Sequence, residues 1–137
     1  MDTSRSDLLV WDVETGVLDF VFVGHSKFVY SVQLDKDIAM TGSGDKLVKV
    51  WDRRSGTCVM DLAGHSDSVM CIQFDEDHKV VSGSYDKTLR TWDLRCPAES
   101  ISVLEGHSSA VFALQFDHEK IISGSADKTM KIWNFAP

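Results

Sequence analysis

Long apolar runs, clustered basic residues, paired cysteines and helical periodicity are all missing from these 137 residues, and each absence removes a class of function. No stretch approaches the ~18 consecutive apolar residues that a helix needs to cross a bilayer, so membrane insertion is not expected. The opening Met-Asp-Thr-Ser-Arg-Ser-Asp lacks the apolar core of a secretory signal, and the expected location is cytoplasmic and/or nuclear. The three cysteines, Cys58, Cys71 and Cys96, are odd in number and never spaced as Cys-x-x-Cys. That pattern indicates neither a disulfide framework nor a zinc site; reduced, ordinary thiols are expected, with no metal and no cofactor. The formal charge is −7 and no block of lysine or arginine interrupts it. A surface of that sign repels phosphate backbones, which disfavours direct binding of DNA or RNA.

What is present is a repeat. Hydrophobic residues make up 43% and charged residues 26%, the balance of a globular domain. The pairs Gly24-His25, Gly64-His65 and Gly106-His107 alternate with Trp11, Trp51, Trp92 and Trp133, so the tryptophans recur at gaps of 40, 41 and 41. A fixed period in this range marks units that bury their apolar faces only against their neighbours. Within each unit Val29 to Leu34, Val69 to Phe74 and Val111 to Phe116 are one element repeated three times, too short and too rich in β-branched and aromatic residues for a helix. A polar turn starting at Asp35, Asp75 or Asp117 follows, then a strand ending in Thr41-Gly42-Ser43, Ser82-Gly83-Ser84 or Ser123-Gly124-Ser125. A tight turn with Asp45, Asp86 or Asp127 leads to the tryptophan strand, and a fourth strand such as Cys58 to Leu62 returns to the next Gly-His. Glycines such as Gly16 and Gly56 are expected to supply the positive φ of the turns after the tryptophan. The result is an all-β chain of four-stranded antiparallel units.

A histidine, a hydroxyl residue, an aspartate and a tryptophan recur in fixed order: His25, Thr41, Asp45, Trp51; His65, Ser82, Asp86, Trp92; His107, Ser123, Asp127, Trp133. A buried indole N–H needs an acceptor, a hydroxyl accepts it and donates onward, and a carboxylate fixes the imidazole tautomer. The four residue types therefore suit a closed structural relay. Ser, His and Asp are also the types of a hydrolytic triad. Against that reading, the set occurs in triplicate, one copy uses Thr, and a tryptophan has no part in a triad, so no catalytic residue is assigned. His78 and His118 fall in polar turns and are expected to be solvated.

From about Leu8 to Trp133 these motifs resemble a WD-repeat β-propeller. The resemblance implies an incomplete propeller of about three blades: strands c and d of a first blade over 7–23, repeats over 24–63 and 64–105, and a last repeat over 106–134 lacking strand d. It also implies that each tetrad ties the loop before strand a to strands b and c. Counting back from Trp11 the tetrad positions are Arg5 and Met1, with no upstream histidine. A piece of a longer propeller is the favoured expectation, and a ring completed by self-association of further copies is the other. The family binds protein or peptide ligands near the central channel, which carries over to Phe28, Tyr30, Ser68, Met70, Ala110 and Phe112, with Gly44, Tyr85 and Ala126 from the tight turns. Uncharged aromatic and Met side chains of this kind anchor interfaces, while packing between blades is the competing role for Tyr30, Met70 and Phe112. The segments Gln115 to Ser125 and Gln73 to Ser84 are similar to F-box/WD-repeat proteins, the substrate receptors of cullin-RING ubiquitin ligases. That likeness implies cullin-RING components as partners through segments outside this chain; the alternative is a general scaffold of signalling, trafficking or RNA-processing complexes. Receptors that read phosphorylated peptides often carry arginine where this chain has Tyr30, Met70 and Phe112. Arg90, with Lys49 and Lys131 at matching positions, is the only comparable arginine, which argues against phosphate recognition.

Overall fold

The computed structural model describes residues 8–11, 14–16, 18–22, 24–35, 37–75, 78–95 and 100–134. Every regular element among them is a strand, and no helix is long and apolar enough to cross a membrane. The strands are β1 (Leu8–Trp11), β2 (Leu18–Phe22), β3 (Val29–Leu34), β4 (Ile38–Ser43), β5 (Leu47–Asp52), β6 (Thr57–Ala63), β7 (Val69–Phe74), β8 (Lys79–Ser84), β9 (Leu89–Asp93), β10 (Ser102–Leu104), β11 (Val111–Phe116), β12 (Lys120–Ser125) and β13 (Met130–Asn134).

They form four antiparallel sheets in chain order: a hairpin β1–β2, two four-stranded sheets β3–β6 and β7–β10, and a three-stranded sheet β11–β13. Each is a meander, as expected when consecutive strands are joined by short turns. This is the architecture of incomplete propeller blades. The hairpin β1–β2 repeats the pairing of β5 with β6, down to the register shift at Trp11 that recurs at Trp51. Trp11 thus lies on a strand equivalent to β5, while the positions counted back to Arg5 and Met1 lie outside the described residues, as does Cys96.

The second strand of each four-stranded sheet carries apolar residues on both faces, Ala39 and Met40 in β4 and Val80 and Val81 in β8, because it is covered on both sides. In β4 and β8 every residue after the first is buried. One core cluster joins Met40, Val48 and Val50 of the first full sheet to Val69, Phe74 and Val80 of the next, and a second joins Cys71, Val81 and Leu89 to Val111, Phe116 and Ile121. Hydrophobic burial between sheets is therefore what holds the repeats side by side. An amide clasp reinforces each seam. Gln33 Nε2 donates to the Phe74 carbonyl at 3.0 Å while its Oε1 accepts the Phe74 N–H at 2.9 Å. Gln73 does the same to Phe116 at 3.1 and 3.0 Å.

The turns divide by type. Gly16 and Gly56 take positive φ after the tryptophan strands, as expected. In the tight turns before those strands the left-handed residue is Lys46, Lys87 or Lys128, at φ of 75°, 76° and 71°. A side chain there is strained by its Cβ, and the repeated Asp side chain offsets this by accepting the N–H of the residue that follows the lysine.

Candidate interaction face and its structural tetrads

Each Gly-His pair sits in the loop that enters β3, β7 or β11, and the other three tetrad residues come from the next two strands and the turn between them. In the first set His25 Nδ1 bonds Asp45 Oδ2 at 2.8 Å and His25 Nε2 bonds Thr41 Oγ1 at 2.5 Å, while Trp51 Nε1 donates to the same oxygen at 2.9 Å. The second set repeats this with His65–Asp86 at 2.8 Å, His65–Ser82 at 2.7 Å and Trp92–Ser82 at 2.9 Å. In the third, His107–Asp127 is 2.9 Å, His107–Ser123 2.8 Å and Trp133–Ser123 2.9 Å. The carboxylates do more than hold imidazoles: each also accepts the backbone N–H of Ser26, Ser66 or Ser108, pinning the loop itself. Its only trace in the sequence is the serine that follows each Gly-His.

The glycine of the pair has a steric reason. A Cβ on Gly24 would lie 2.8 Å from the Trp51 ring and one on Gly106 3.0 Å from the Trp133 ring, so the indole edge packs where a side chain would be. The tryptophan signature and the Gly-His signature are two sides of one contact.

Proton direction follows from chemistry. An indole can only donate and a carboxylate can only accept, so Nδ1 carries the imidazole proton and the hydroxyl donates to Nε2. Burial lowers the pKa of His25, against the raising effect of Asp45, which keeps the ring neutral. Burial also opposes ionisation of Asp45 and Asp86, but their bonds to His25 or His65 and to backbone N–H groups outweigh it and leave both below the ordinary carboxylate range. Asp127 is lowered too, first by the Thr129 hydroxyl and then by His107. The polarity matches that of a hydrolytic triad, but the surroundings do not. Thr41, Ser82 and Ser123 are fully buried, and each hydroxyl oxygen already accepts an indole N–H. No substrate carbonyl can reach an oxygen so placed, and the arrangement rigidifies the fold.

The residues carried over to a partner-binding face meet at the start of the inner strands. In all three sheets the register shifts there, between Val29 and Ser31, Val69 and Cys71, and Val111 and Ala113. The inserted residue is Tyr30, Met70 or Phe112. A bulge of this kind re-aims one side chain out of the ladder. Phe28, Tyr30, Tyr85 and Phe112 are 47%, 47%, 51% and 44% exposed, and Ser68 and Met70 are half-buried. Tyr85, on the tight turn of one sheet, meets Phe112 of the next edge-on at 5.8 Å between ring centres, and Phe28 lies 6.3 Å from Tyr30. Ala110 departs from expectation. It is 3% exposed, its short side chain leaving nothing to project where Phe28 stands in the first repeat, so it offers little to a partner. Gly44 and Ala126 occupy the turns equivalent to that of Tyr85, where the Gly44 N–H donates to the Phe28 carbonyl.

Three successive stretches, residues 16–52, 56–93 and 98–134, match the family model described as WD domain, G-beta repeat. The chain belongs to the WD-repeat family. Each match opens on the strand that precedes a Gly-His loop and closes on the residues just after a tryptophan, so the units are phased one strand earlier than the sheets. No curated protein matches the chain. WD-repeat chains generally act as protein-interaction scaffolds and not as catalysts.

The remaining chemistry of this WD-repeat chain is mostly committed. Lys49 Nζ pairs with Asp61 at 2.8 Å, and Arg90 Nη1 donates to Ser100 Oγ at 2.8 Å, so Arg90 is held within its own sheet. His78 and His118 are exposed, as expected of turn residues. Cys58 and Cys71 are free; burial pushes the Cys71 thiol up to about 12, where it is inert. Among the described residues no group of three His, Cys, Asp or Glu side chains is placed to hold a metal ion. One feature had no signal in the sequence: a groove of about 740 Å³ at the opposite end of the strands from the bulges, floored by Ile38, Val50, Met60 and Phe74 and edged by Asp37 and His78.

Proposed function

We propose that this WD-repeat chain binds a protein or peptide on the face formed by Phe28, Tyr30, Met70, Tyr85 and Phe112. The observation that carries the reading is the bulge at the same position of three successive sheets, which re-aims Tyr30, Met70 and Phe112 and leaves the two uncharged rings about half exposed. A photo-reactive amino acid at position 28 should capture a partner in cells, and Tyr30→Asp with Phe112→Asp should abolish that capture. The same probe at Thr57, on an outer strand, should capture nothing in common. Equal capture from both positions, or capture indifferent to the two aspartates, rejects this face.

The finer reading is a substrate receptor of a cullin-RING ubiquitin ligase, supported by the likeness of Gln73 to Ser84 and Gln115 to Ser125 to F-box/WD-repeat proteins. With Arg90 tied to Ser100 and no arginine at the bulges, such a receptor would read an apolar degron in preference to a phosphorylated one. The full-length gene product should then co-precipitate cullin adaptors while this chain alone does not; adaptors absent from both leave the general scaffold reading, in signalling, trafficking or RNA processing.

A further inference from the structure

The groove at the first seam is apolar where the fold does not require it to be. It lies between the two four-stranded sheets, with Ile38, Val50 and Met60 supplied by one and Phe74 and Leu94 by the other. The repeat supplies its own control. Register places Lys79 and Lys120 at the position of Ile38, Thr91 at that of Val50 and Ser102 at that of Met60. At the second seam the Thr91 and Ser102 hydroxyls bond each other at 2.5 Å, and that seam still buries Phe116 and Ile121. Apolar side chains at these three positions are therefore not a condition of joining one sheet to the next.

The rim is of one sign. Asp35 and Asp37 edge it from the first sheet and Asp75 from the second, and among the described lining residues there is no lysine or arginine, His78 being the one other titratable group. Two of the carboxylates are held by their own turns: Asp35 Oδ1 accepts the N–H groups of Asp37 and Ile38 at 2.8 and 2.9 Å, and Asp75 Oδ1 accepts that of Lys79 at 3.1 Å. Arg53 donates to the Asp35 backbone carbonyl and not to that carboxylate. The volume of about 740 Å³ falls within the ~300–1,000 Å³ of sites that bury a ligand group.

We propose that this groove takes a basic segment of a partner protein, seating one large aliphatic side chain on Ile38, Val50, Met60 and Phe74 while lysine or arginine on either side of it meets the aspartates of the rim. The occupant follows from charge complementarity. The apolar floor alone would admit any aliphatic group, but three carboxylates on a chain of charge −7 repel acidic segments and attract basic ones. An extended segment suits the place, because β6, which brings Met60 and the 52% exposed Val59 to the groove, is an edge strand of its sheet and leaves a way out across it. The site is separate from the bulge face, which lies at the other end of the strands.

Selection of random short peptides on the purified chain tests this, once every peptide that also binds the Ile38→Lys chain has been removed. Two other repeats carry lysine at that position, so the fold has a precedent for it, and the bulge face is the same in both chains, so ligands of that face leave with the removed pool. Where Ile38→Lys fails to fold, Asp37→Lys, at an exposed position, takes its place. The remaining peptides should share a leucine, isoleucine or methionine flanked by lysine or arginine. Made synthetically, they should bind about tenfold more weakly or worse when the aliphatic residue becomes serine, and likewise to the Asp37→Lys and Val59→Lys chains, whose melting should match the parent's. Acidic or uncharged sequences, equal binding to all the variants, or no peptide left after the removal overturns the proposal.

Discussion

Sheets β7–β10 and β11–β13 share register, tetrad and tight turn, yet Leu89 of the first is core and Met130 at the same register of the second is surface. The difference lies wholly in what stands beside them: β11 packs on one, and nothing among the described residues packs on the other. An apolar strand face is thus a capacity for burial, realised only by a neighbour, which is the physics of a repeat whose stability sits in its interfaces.

The largest break in that comparison comes from truncating the two equivalent side chains. Leu89→Ala should destabilise the chain by about 2–5 kcal/mol in urea unfolding, whereas Met130→Ala should stay within about 0.5 kcal/mol in the monomer. Similar losses would mean that the third sheet is covered after all. The glutamines come next. Gln73→Ala strips the Phe116 N–H and C=O of their partner and should cost about 1–3 kcal/mol, while Gln115→Ala costs the monomer almost nothing.

Acid should act on the three tetrad aspartates, whose shifts run the same way in every repeat, and on His25 of the first, and so sharpen what does not depend on a neighbouring sheet. A folded-state pKa below the unfolded value means that the unfolded chain binds more protons, so stability is lost as the pH is lowered. His25 is lowered from 6.5, and its contribution, complete above that pH, should be lost as the solution turns mildly acidic. Asp45, Asp86 and Asp127 are lowered from 3.8, and a steeper loss should begin below that value. Thermal melts across this range check both limbs; Asp45→Asn should flatten part of the lower one. A melting temperature that rises on acidification would contradict the assigned proton direction.

The smallest effect should be the same in every repeat. Lys46→Gly, Lys87→Gly and Lys128→Gly each relieve a left-handed residue of its Cβ, for a gain of about 0.5–1 kcal/mol against the added chain entropy. Unequal gains would show that the turns, like the seams, respond to what lies next to them.

Strand a was legible to the residue in each full repeat, and the tetrad residues were legible as a set, because their partners lie 10 to 21 positions apart in a spacing that recurs. Other features have no local signature. The register shifts at Tyr30, Met70 and Phe112 leave the alternation of apolar residues intact, so nothing in the pattern marks them as bulges. The lysines at positive φ occupy positions where glycine would be the ordinary guess. Ala110 shares the position of exposed Phe28 and half-buried Ser68, and only the folded chain shows it to be 3% exposed.

By itself the sequence determined the strands, their order within each sheet and the closed relay from histidine to tryptophan, since these depend on short-range spacing and the donors and acceptors of each side chain. The tertiary structure alone decided which apolar faces are core, where the aromatic bulges point and that glutamines clasp adjacent sheets. Those contacts join residues 41 and 43 positions apart or more, across a seam that exists only once a second sheet is in place.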